Sequence, residues 1–326
     1  MLPVPMVGRF AEAAELRHLW AGRGVPPGAP GTAVITGPAG TGKSLLVAQA
    51  LAGFVPEPAV VLAGRARVHS PAPYDWLAAA LSGHDLQGLP VPADALAWLA
   101  QHPDAPERRF APGALLRLAV RTVRALVGTG PAVLVVEDLH ALDPASLNLV
   151  AELALAGGLP ATLLVTSRPA VAAVCPDLTA STLARLAGAP GAVRQHLGPL
   201  APAEVAAVLA AVAGRPVPRE AVRAAHARTG GNPYRLTELL AGGLDALVAP
   251  AGPAAPAAEL TARERDVLSC LAAGMSNKQV ARSLGISIRT VAVHVSNLLR
   301  KTGSSSRTEA ALRAVRGDLV GARPAS

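Results

Sequence analysis

The sequence predicts an α/β fold, a parallel sheet with helices on both faces, followed by a small all-α module. Three observations carry this. Short continuous apolar runs alternate with helix-like runs over the first 170 residues, as expected for strands buried on both faces. The pattern turns wholly helical from 202 to 240. A stretch without charge, periodicity or large apolar residues, APAGPAAPAA at 249–258, reads as a semi-stiff linker. The expected divisions are a sheet core over 1–170, a helical lid over 171–245, a linker over 246–258 and a four-helix module over 259–326.

Taken in order, residues 32–36 (TAVIT) form a first short strand and 44–51 a helix. A second strand covers 59–62. The stretch 70–112 carries seven prolines and yields no clear elements. Residues 114–126 are helical, with Arg117, Arg121 and Arg124 on one face. Strands follow at 132–136 and 161–165. No repeat of 20 to 50 residues is present, which excludes a solenoid.

Composition narrows the function classes. The chain has 326 residues, 51% hydrophobic and 16% charged, which excludes a disordered protein. Aromatics are 2%, too few for a base-stacking platform. Cys175 and Cys270 are the two cysteines, so neither a disulfide framework nor a cysteine metal site is expected, and a reducing compartment is. Mean hydropathy is +0.37, yet the longest apolar run, 153–167, is broken by Gly157, Gly158 and Pro160. A span needs about 20 apolar residues, so no membrane segment is expected. The first ten residues lack a signal-peptide layout, and a cytoplasmic location is expected. The net charge is +8. Residues 259–326 hold 11 basic and 5 acidic residues, a surplus of six. The positive excess sits in the last fifth of the chain, where a phosphate backbone would be attracted.

Gly37-Pro38-Ala39-Gly40-Thr41-Gly42-Lys43-Ser44 fits G-x-x-x-x-G-K-[ST] at every fixed position, between a strand and a helix. Such a loop, known as a Walker A or P-loop, lets backbone N–H groups face a phosphate, and the helix N-terminus adds its positive end. Lys43 is expected on the β- and γ-phosphates and Ser44 on Mg²⁺. The fold class sharpens to a P-loop NTPase core. The strand Val133-Leu134-Val135-Val136 ends in Glu137-Asp138. One carboxylate there orients Mg²⁺ and the other activates water; which does which is open. Arg168 ends the next strand and is the candidate γ-phosphate sensor. His140 and Asp143 read as structural polar residues.

The C-terminal code is dense. Capping boxes start at Thr261, Ser276 and Ser306, and glycines 274, 285, 303 and 317 stand at helix C-caps. Four helices are expected, at 262–273, 277–284, 288–302 and 307–316. The second and third are joined by Leu284-Gly285-Ile286-Ser287, a turn of helix-turn-helix type. On the third helix Val291, Val295, Leu298 and Leu299 make an apolar stripe. Opposite lie Arg289, Ala292, Val293, Ser296 and Arg300, suited to a major groove of double-stranded DNA. Lys278, Thr290, Asn297 and Lys301 are expected on phosphates.

Two resemblances extend these readings. Residues 260–312 resemble the LuxR-type helix-turn-helix, through Leu260-Thr-Ala-Arg-Glu264, Ser276-Asn-Lys-Gln-Val-Ala281, Thr290-Val-Ala-Val-His294 and Arg307-Thr-Glu-Ala310. The resemblance implies that the third helix reads DNA and the fourth makes dimer contacts; Ala292 stands where Lys is frequent. The first 245 residues resemble the ATPase module of the large ATP-dependent LuxR regulators, of the STAND class. Val7-Gly8-Arg9 looks like their motif near the adenine. Glu137-Asp138-Leu-His140 with Leu142-Asp143-Pro144 resembles their acidic strand, with Ala141 in place of Trp. Thr229-Gly-Gly-Asn232-Pro233-Tyr234 looks like their lid motif, whose proline, here Pro233, packs on the base. The long helical-repeat sensor of those regulators has no counterpart between the modules. The resemblance implies a bacterial transcription regulator that binds ATP and Mg²⁺, hydrolyses ATP slowly, and binds DNA as a homodimer, with RNA polymerase as a further partner. Two other readings stay open: an AAA-like machine tethered to DNA, with Arg185 or Arg194 acting in trans, and a DNA-binding protein with a vestigial nucleotide site.

Overall fold

The computed structural model describes residues 7–22, 30–66, 72–106, 110–111, 113–241, 260–273, 275, 277–302, 310–311 and 314. The chain divides into two compact units, 1–248 and 249–326.

The first unit is built on five parallel strands: β1 (Gly31–Thr36), β2 (Val60–Arg65), β3 (Ala132–Glu137), β4 (Ala161–Ser167) and β5 (Val193–His196). Their order is β2-β3-β4-β1-β5. Helices α1 (Phe10–Ala21) and α2 (Lys43–Ala52) precede and follow β1. The β2–β3 crossover contains α3 (Asp75–Leu81), α4 (Ala93–Leu99) and α5 (Ala114–Val127). Helix α6 (Pro144–Ala154) joins β3 to β4, and α7 (Pro176–Ala187) joins β4 to β5.

Side-chain alternation along the strands sorts the helices into two layers. Leu134, Val136, Leu163 and Val165 face one core with residues of α3, α5, α6 and α7. Val133, Val135, Leu164 and Ile35 face the other, against α1 and α2. Both sides are covered, so the strands read as unbroken apolar runs. Arg117, Arg121 and Arg124 lie on the exposed side of α5, away from the buried Ala119, Val123 and Val127.

The structure corrects the boundary expected at residue 170. Strand β5 completes the sheet beside β1, and Leu186 of α7 is buried in the sheet core. The sheet layer therefore continues to His196. The sequence hides β5 because VRQH is short and polar, with only Gln195 buried. The separate helical cluster is α8 (Pro202–Ala213), α9 (Arg219–Thr229) and α10 (Pro233–Ala241). Its core holds Leu200, Val205, Leu209, Ala225 and Leu236, joined by Val7 from the start of the chain.

The second unit contains α11 (Ala262–Ala272), α12 (Asn277–Leu284) and α13 (Ile288–Thr302). The first capping box forms as expected: Thr261 Oγ1 accepts from Glu264 N at 3.2 Å, and Glu264 Oε2 accepts from Thr261 N at 2.8 Å. Gly285 turns the chain between α12 and α13 at φ +64°, a conformation that disfavours side chains. Val291 and Leu298 are fully buried, as the apolar stripe requires. The expected fourth helix at 307–316, the capping boxes at Ser276 and Ser306, and the linker fall on or across residues outside those described.

Candidate nucleotide site and nucleic-acid interface

The loop 37–42 crosses from the C-terminal end of β1 to the N-terminus of α2. No side chain caps the first turn of α2, so its orphan amides and positive dipole end stay available to an anion. Two glycines are required by close approach. A Cβ on Gly37 would stand 2.4 Å from the Leu197 carbonyl oxygen. One on Gly40, at φ +77°, would stand 2.7 Å from Asn232 Oδ1. Thr41 is buried and its hydroxyl donates to Pro38 O at 3.0 Å. Pro38, Ala39 and Ser44 are exposed and Gly42 half-buried.

Lys43 is 7% exposed. Its Nζ donates to Gly37 O at 2.9 Å and Pro38 O at 2.8 Å. Burial pulls the pKa of the ammonium down; Asp138 opposes this and Arg168 adds to it. The same neighbours act on His140, whose pKa is lowered chiefly by burial. Lys43, Asp138, His140 and Arg168 therefore share one electrostatic neighbourhood at the carboxyl ends of β3 and β4, the side where ligands bind in such sheets.

The ends of β3 and β4 are tied together. Asp138 adopts φ +53°, which turns the chain sharply out of β3, and its N–H donates to Thr166 Oγ1 at 3.0 Å. The backbone N–H of Arg168 donates to His140 Nδ1 at 3.2 Å, which leaves the ring's proton on Nε2 in the neutral form. Asp138 Oδ1 lies 3.9 Å from the same Nδ1. Glu137 behaves differently. It pairs with Arg65 across the β2–β3 register, Nη2 to Oε2 at 2.5 Å.

Of the expected base-side residues, Gly8 and Arg9 meet α8 and the segment that follows β5, while Pro233 stands at the start of α10. Arg9 donates from Nη2 to Gly198 O at 2.5 Å and from Nη1 to Glu12 at 3.1 Å. Gly8 packs against the Glu204 side chain of α8. Pro233 opens α10 and is half-buried. The turn before it lies on the phosphate loop: Asn232 Nδ2 donates to Ala39 O at 2.9 Å and Tyr234 N to Gly40 O at 3.1 Å.

The donor chemistry fits a nucleoside triphosphate with Mg²⁺. An uncapped helix end, a buried ammonium and an exposed guanidinium offer positive charge, and Ser44 and Asp138 offer oxygen to a cation. Sequence reasoning missed Arg65, Thr166 and Asn232 as site partners. Arg65 and Thr166 give no signal until strand order sets them beside β3. Asn232 lies in the lid-like motif beside Pro233, and its contact with Ala39 depends on the fold that brings 232 to the phosphate loop.

In the second unit, Lys301 departs from its expected role. Its Nζ donates to Glu264 Oε2 at 2.7 Å, and its side chain is 17% exposed. An ammonium held by a buried carboxylate clamps α13 to α11 rather than meeting a phosphate. Thr290 is exposed, and its hydroxyl shares a 2.8 Å hydrogen bond with Ser287. The side chains of Lys278, Arg289, Ala292, Val293, Ser296, Asn297 and Arg300 lie outside those described.

Residues 5–166 match a family described as AAA ATPase domain. Residues 258–314 match bacterial regulatory proteins of the luxR family. The chain joins an AAA ATPase domain to a LuxR-type regulatory domain. Its LuxR-type domain is similar to an uncharacterized transcriptional regulatory protein, YhcZ, of Bacillus subtilis, at 54% identity over 63 residues, 19% of this chain and 29% of that protein. It is also similar to the nitrate/nitrite response regulator protein NarL of Escherichia coli, at 50% identity over 54 residues, 17% of this chain and 25% of that one. The chain thus spans under a third of the length of these regulators. Among solved structures, the Aeropyrum pernix ORC1 protein in complex with DNA superposes with a TM-score of 0.52 at 15% identity, covering 92% of this chain and 85% of that one. Cdc6p from Pyrobaculum aerophilum gives 0.51 at 12% identity, covering 98% and 97%. These likenesses establish the fold: a P-loop NTPase-type parallel sheet with helices, ahead of the helical LuxR-type domain. No helix among the described residues is long and apolar enough to cross a membrane.

Proposed function

We propose that the chain is an ATP-binding, sequence-specific DNA-binding transcription regulator whose nucleotide state sets DNA binding or activation. The observation that carries this reading is the convergence of Lys43, Asp138, His140 and Arg168 beside an uncapped helix N-terminus, in a chain that also carries a LuxR-type domain.

In this reading the loop amides and Lys43 hold the β- and γ-phosphates, giving up the carbonyls of Gly37 and Pro38. Ser44 with Asp138 or Glu137 would hold Mg²⁺, which when bound would neutralise phosphate charge. Asp138, without a cation partner as near as Arg65 is to Glu137, is the better placed to take a proton from water. Arg168 senses the γ-phosphate, and Gly8, Arg9 and Pro233 frame the base. Turnover is slow, because a switch needs only differential affinity for two states. Arg289, Ala292, Val293, Ser296 and Arg300 read bases, while Lys278, Thr290 and Asn297 hold phosphates. The protein acts in the cytoplasm, as a homodimer on an inverted repeat, in contact with RNA polymerase.

The test is a mobility shift of the full chain on the DNA upstream of its own gene, at fixed salt, without nucleotide, with ADP, and with a slowly hydrolysed ATP analogue. A specific shift that strengthens with the analogue, and loses that response in Lys43→Ala, supports the switch. A specific shift indifferent to nucleotide overturns the coupling.

A further inference from the structure

We propose that Asn232 is a positioning residue that couples the phosphate loop to helix α10. The proposal rests on the nucleotide reading given above. The Asn232 amide works in two directions at once. Its Oδ1 accepts from the N–H groups of Tyr234 at 3.0 Å and Arg235 at 3.2 Å, capping the start of α10. Its Nδ2 donates to Ala39 O, in the middle of the phosphate loop, at 2.9 Å. The partners fix the orientation of the amide, since an oxygen must meet the N–H groups and a nitrogen the carbonyl. Asp caps a helix but carries no donor, and Ser, whose hydroxyl both accepts and donates, is a bond too short to hold the cap and also reach Ala39 O. Asn serves both.

The surroundings stiffen the link. Gly231 O accepts from Leu200 N at 2.7 Å, and a Cβ on Gly231 would stand 2.3 Å from Leu200 O. The turn therefore cannot slide away from the end of β5. On the other side Gly40 lies close against the side chains of Asn232 and Tyr234, and its carbonyl accepts from Tyr234 N at 3.1 Å. A phosphate that reorients the Ala39 and Gly40 peptides must pull on Asn232, and the first turn of α10 moves with it. Helix α10 ends at Ala241, and the chain runs on from there to the LuxR-type unit. A nucleotide signal thereby gains a covalent route out of the ATPase unit that begins at one side chain.

The experiment is hydrogen exchange on the full chain with and without Mg-ATP, following amides 37–47 and 233–241, in wild type, Asn232→Ser, Asn232→Asp and Lys43→Ala. In wild type both segments gain protection with Mg-ATP. In Asn232→Ser the cap is kept, so 233–241 exchanges as in wild type without nucleotide. With Mg-ATP, 37–47 is still protected but 233–241 gains nothing, and ATP binds about fivefold more weakly, the effect of one neutral hydrogen bond. Asn232→Asp, an equivalent cap without a donor, likewise leaves 233–241 without a gain if the serine variant is poorly folded, with a larger loss of ATP affinity from its charge beside the loop. If either folded variant protects both segments as wild type does, the coupling role is overturned while nucleotide binding stands. If wild type gains no protection at 37–47, or Lys43→Ala gains as much as wild type, the nucleotide reading itself falls and takes the proposal with it.

Discussion

Asp143 offers the sharpest test of how the ATPase unit is held together. Its carboxylate is 7% exposed and accepts five hydrogen bonds. Ala145 N and Ser146 N donate at 2.9 Å each, which makes Asp143 the N-cap of α6. Ser146 Oγ donates at 2.6 Å. Tyr74 N and Asp75 N donate at 3.1 and 3.3 Å from the start of α3, some seventy residues earlier. Asp143→Ala removes every acceptor together. Loss of the cap costs about 1 kcal/mol. The backbone N–H of Tyr74, just before α3, is then stranded, at about 1–1.5 kcal/mol, while Asp75 N keeps the Ala72 carbonyl at 3.2 Å. The expected loss is about 2–2.5 kcal/mol, a fall in Tm of about 7 °C for a unit of this size. Asp143→Asn retains part of the acceptor set and should lose roughly half as much. The assay is urea unfolding of the full chain, followed by far-ultraviolet circular dichroism and by tryptophan fluorescence, to which Trp76, whose backbone N–H donates to Ser146 Oγ, contributes. A loss under about 1 kcal/mol would refute the argument, because it would mean that water or a neighbour satisfies those amides when the carboxylate is gone.

Three further outcomes are expected. Lys301→Met should strand buried Glu264 and cost the LuxR-type unit about 2–3 kcal/mol. Lys301 and Thr261 hold the Glu264 carboxyl below its usual range, so the wild-type pair stabilises above the unfolded carboxylate pKa of about 4.3 and is lost as pH falls through the depressed folded value. Melting curves between pH 3 and 7 should show this acid-side decline in wild type and a flatter one in the variant. Gly40→Ala should force Asn232 and Tyr234 away from the loop, since its Cβ would lie 2.7 Å from one and 2.8 Å from the other at φ +77°. A cost of about 1–3 kcal/mol for the strained backbone and a loss of Mg-ATP affinity of tenfold or more are expected, read by melting and by titration. Arg65→Gln should change stability by under about 1 kcal/mol, because the arginine is 70% exposed. It should also lower the Mg²⁺ concentration that half-saturates ATP binding, by releasing Glu137; an unchanged value would count Glu137 out as a Mg²⁺ holder.

Much of the sheet was legible because strands covered on both faces need apolar residues at every position. TAVIT and AVLVV announce themselves for that reason. The exception was VRQH, an edge strand held by backbone pairing to β1, with Gln195 bonded to α1 instead of packed in a core. Helix α1 escaped notice because its buried face is only Ala13, Leu16 and Trp20. The phosphate loop was legible because its glycines are dictated by local backbone shape. The partners of its neighbours were not, because they come from strand order. Thr166 meets Asp138 and Arg65 meets Glu137 only once β4 and β2 flank β3. Lys301 was misjudged for a related reason. Its place on the helix suggested a phosphate, but a lysine reaches along the bundle as readily as outward, and Glu264 stood within reach.

The start of the described chain is knotted into the helical cluster. Val7 is packed among α8–α10 and Gly8 against Glu204, while Arg9 grips Gly198, where the sheet hands over to that cluster. Force applied near Val7 is therefore felt first at α8, at the far end of the sequence of the ATPase unit. A fusion partner or surface anchor attached near Val7 acts as a lever on the helical cluster, and an optical-tweezers pull from Val7 should detach that cluster before it disturbs a single strand.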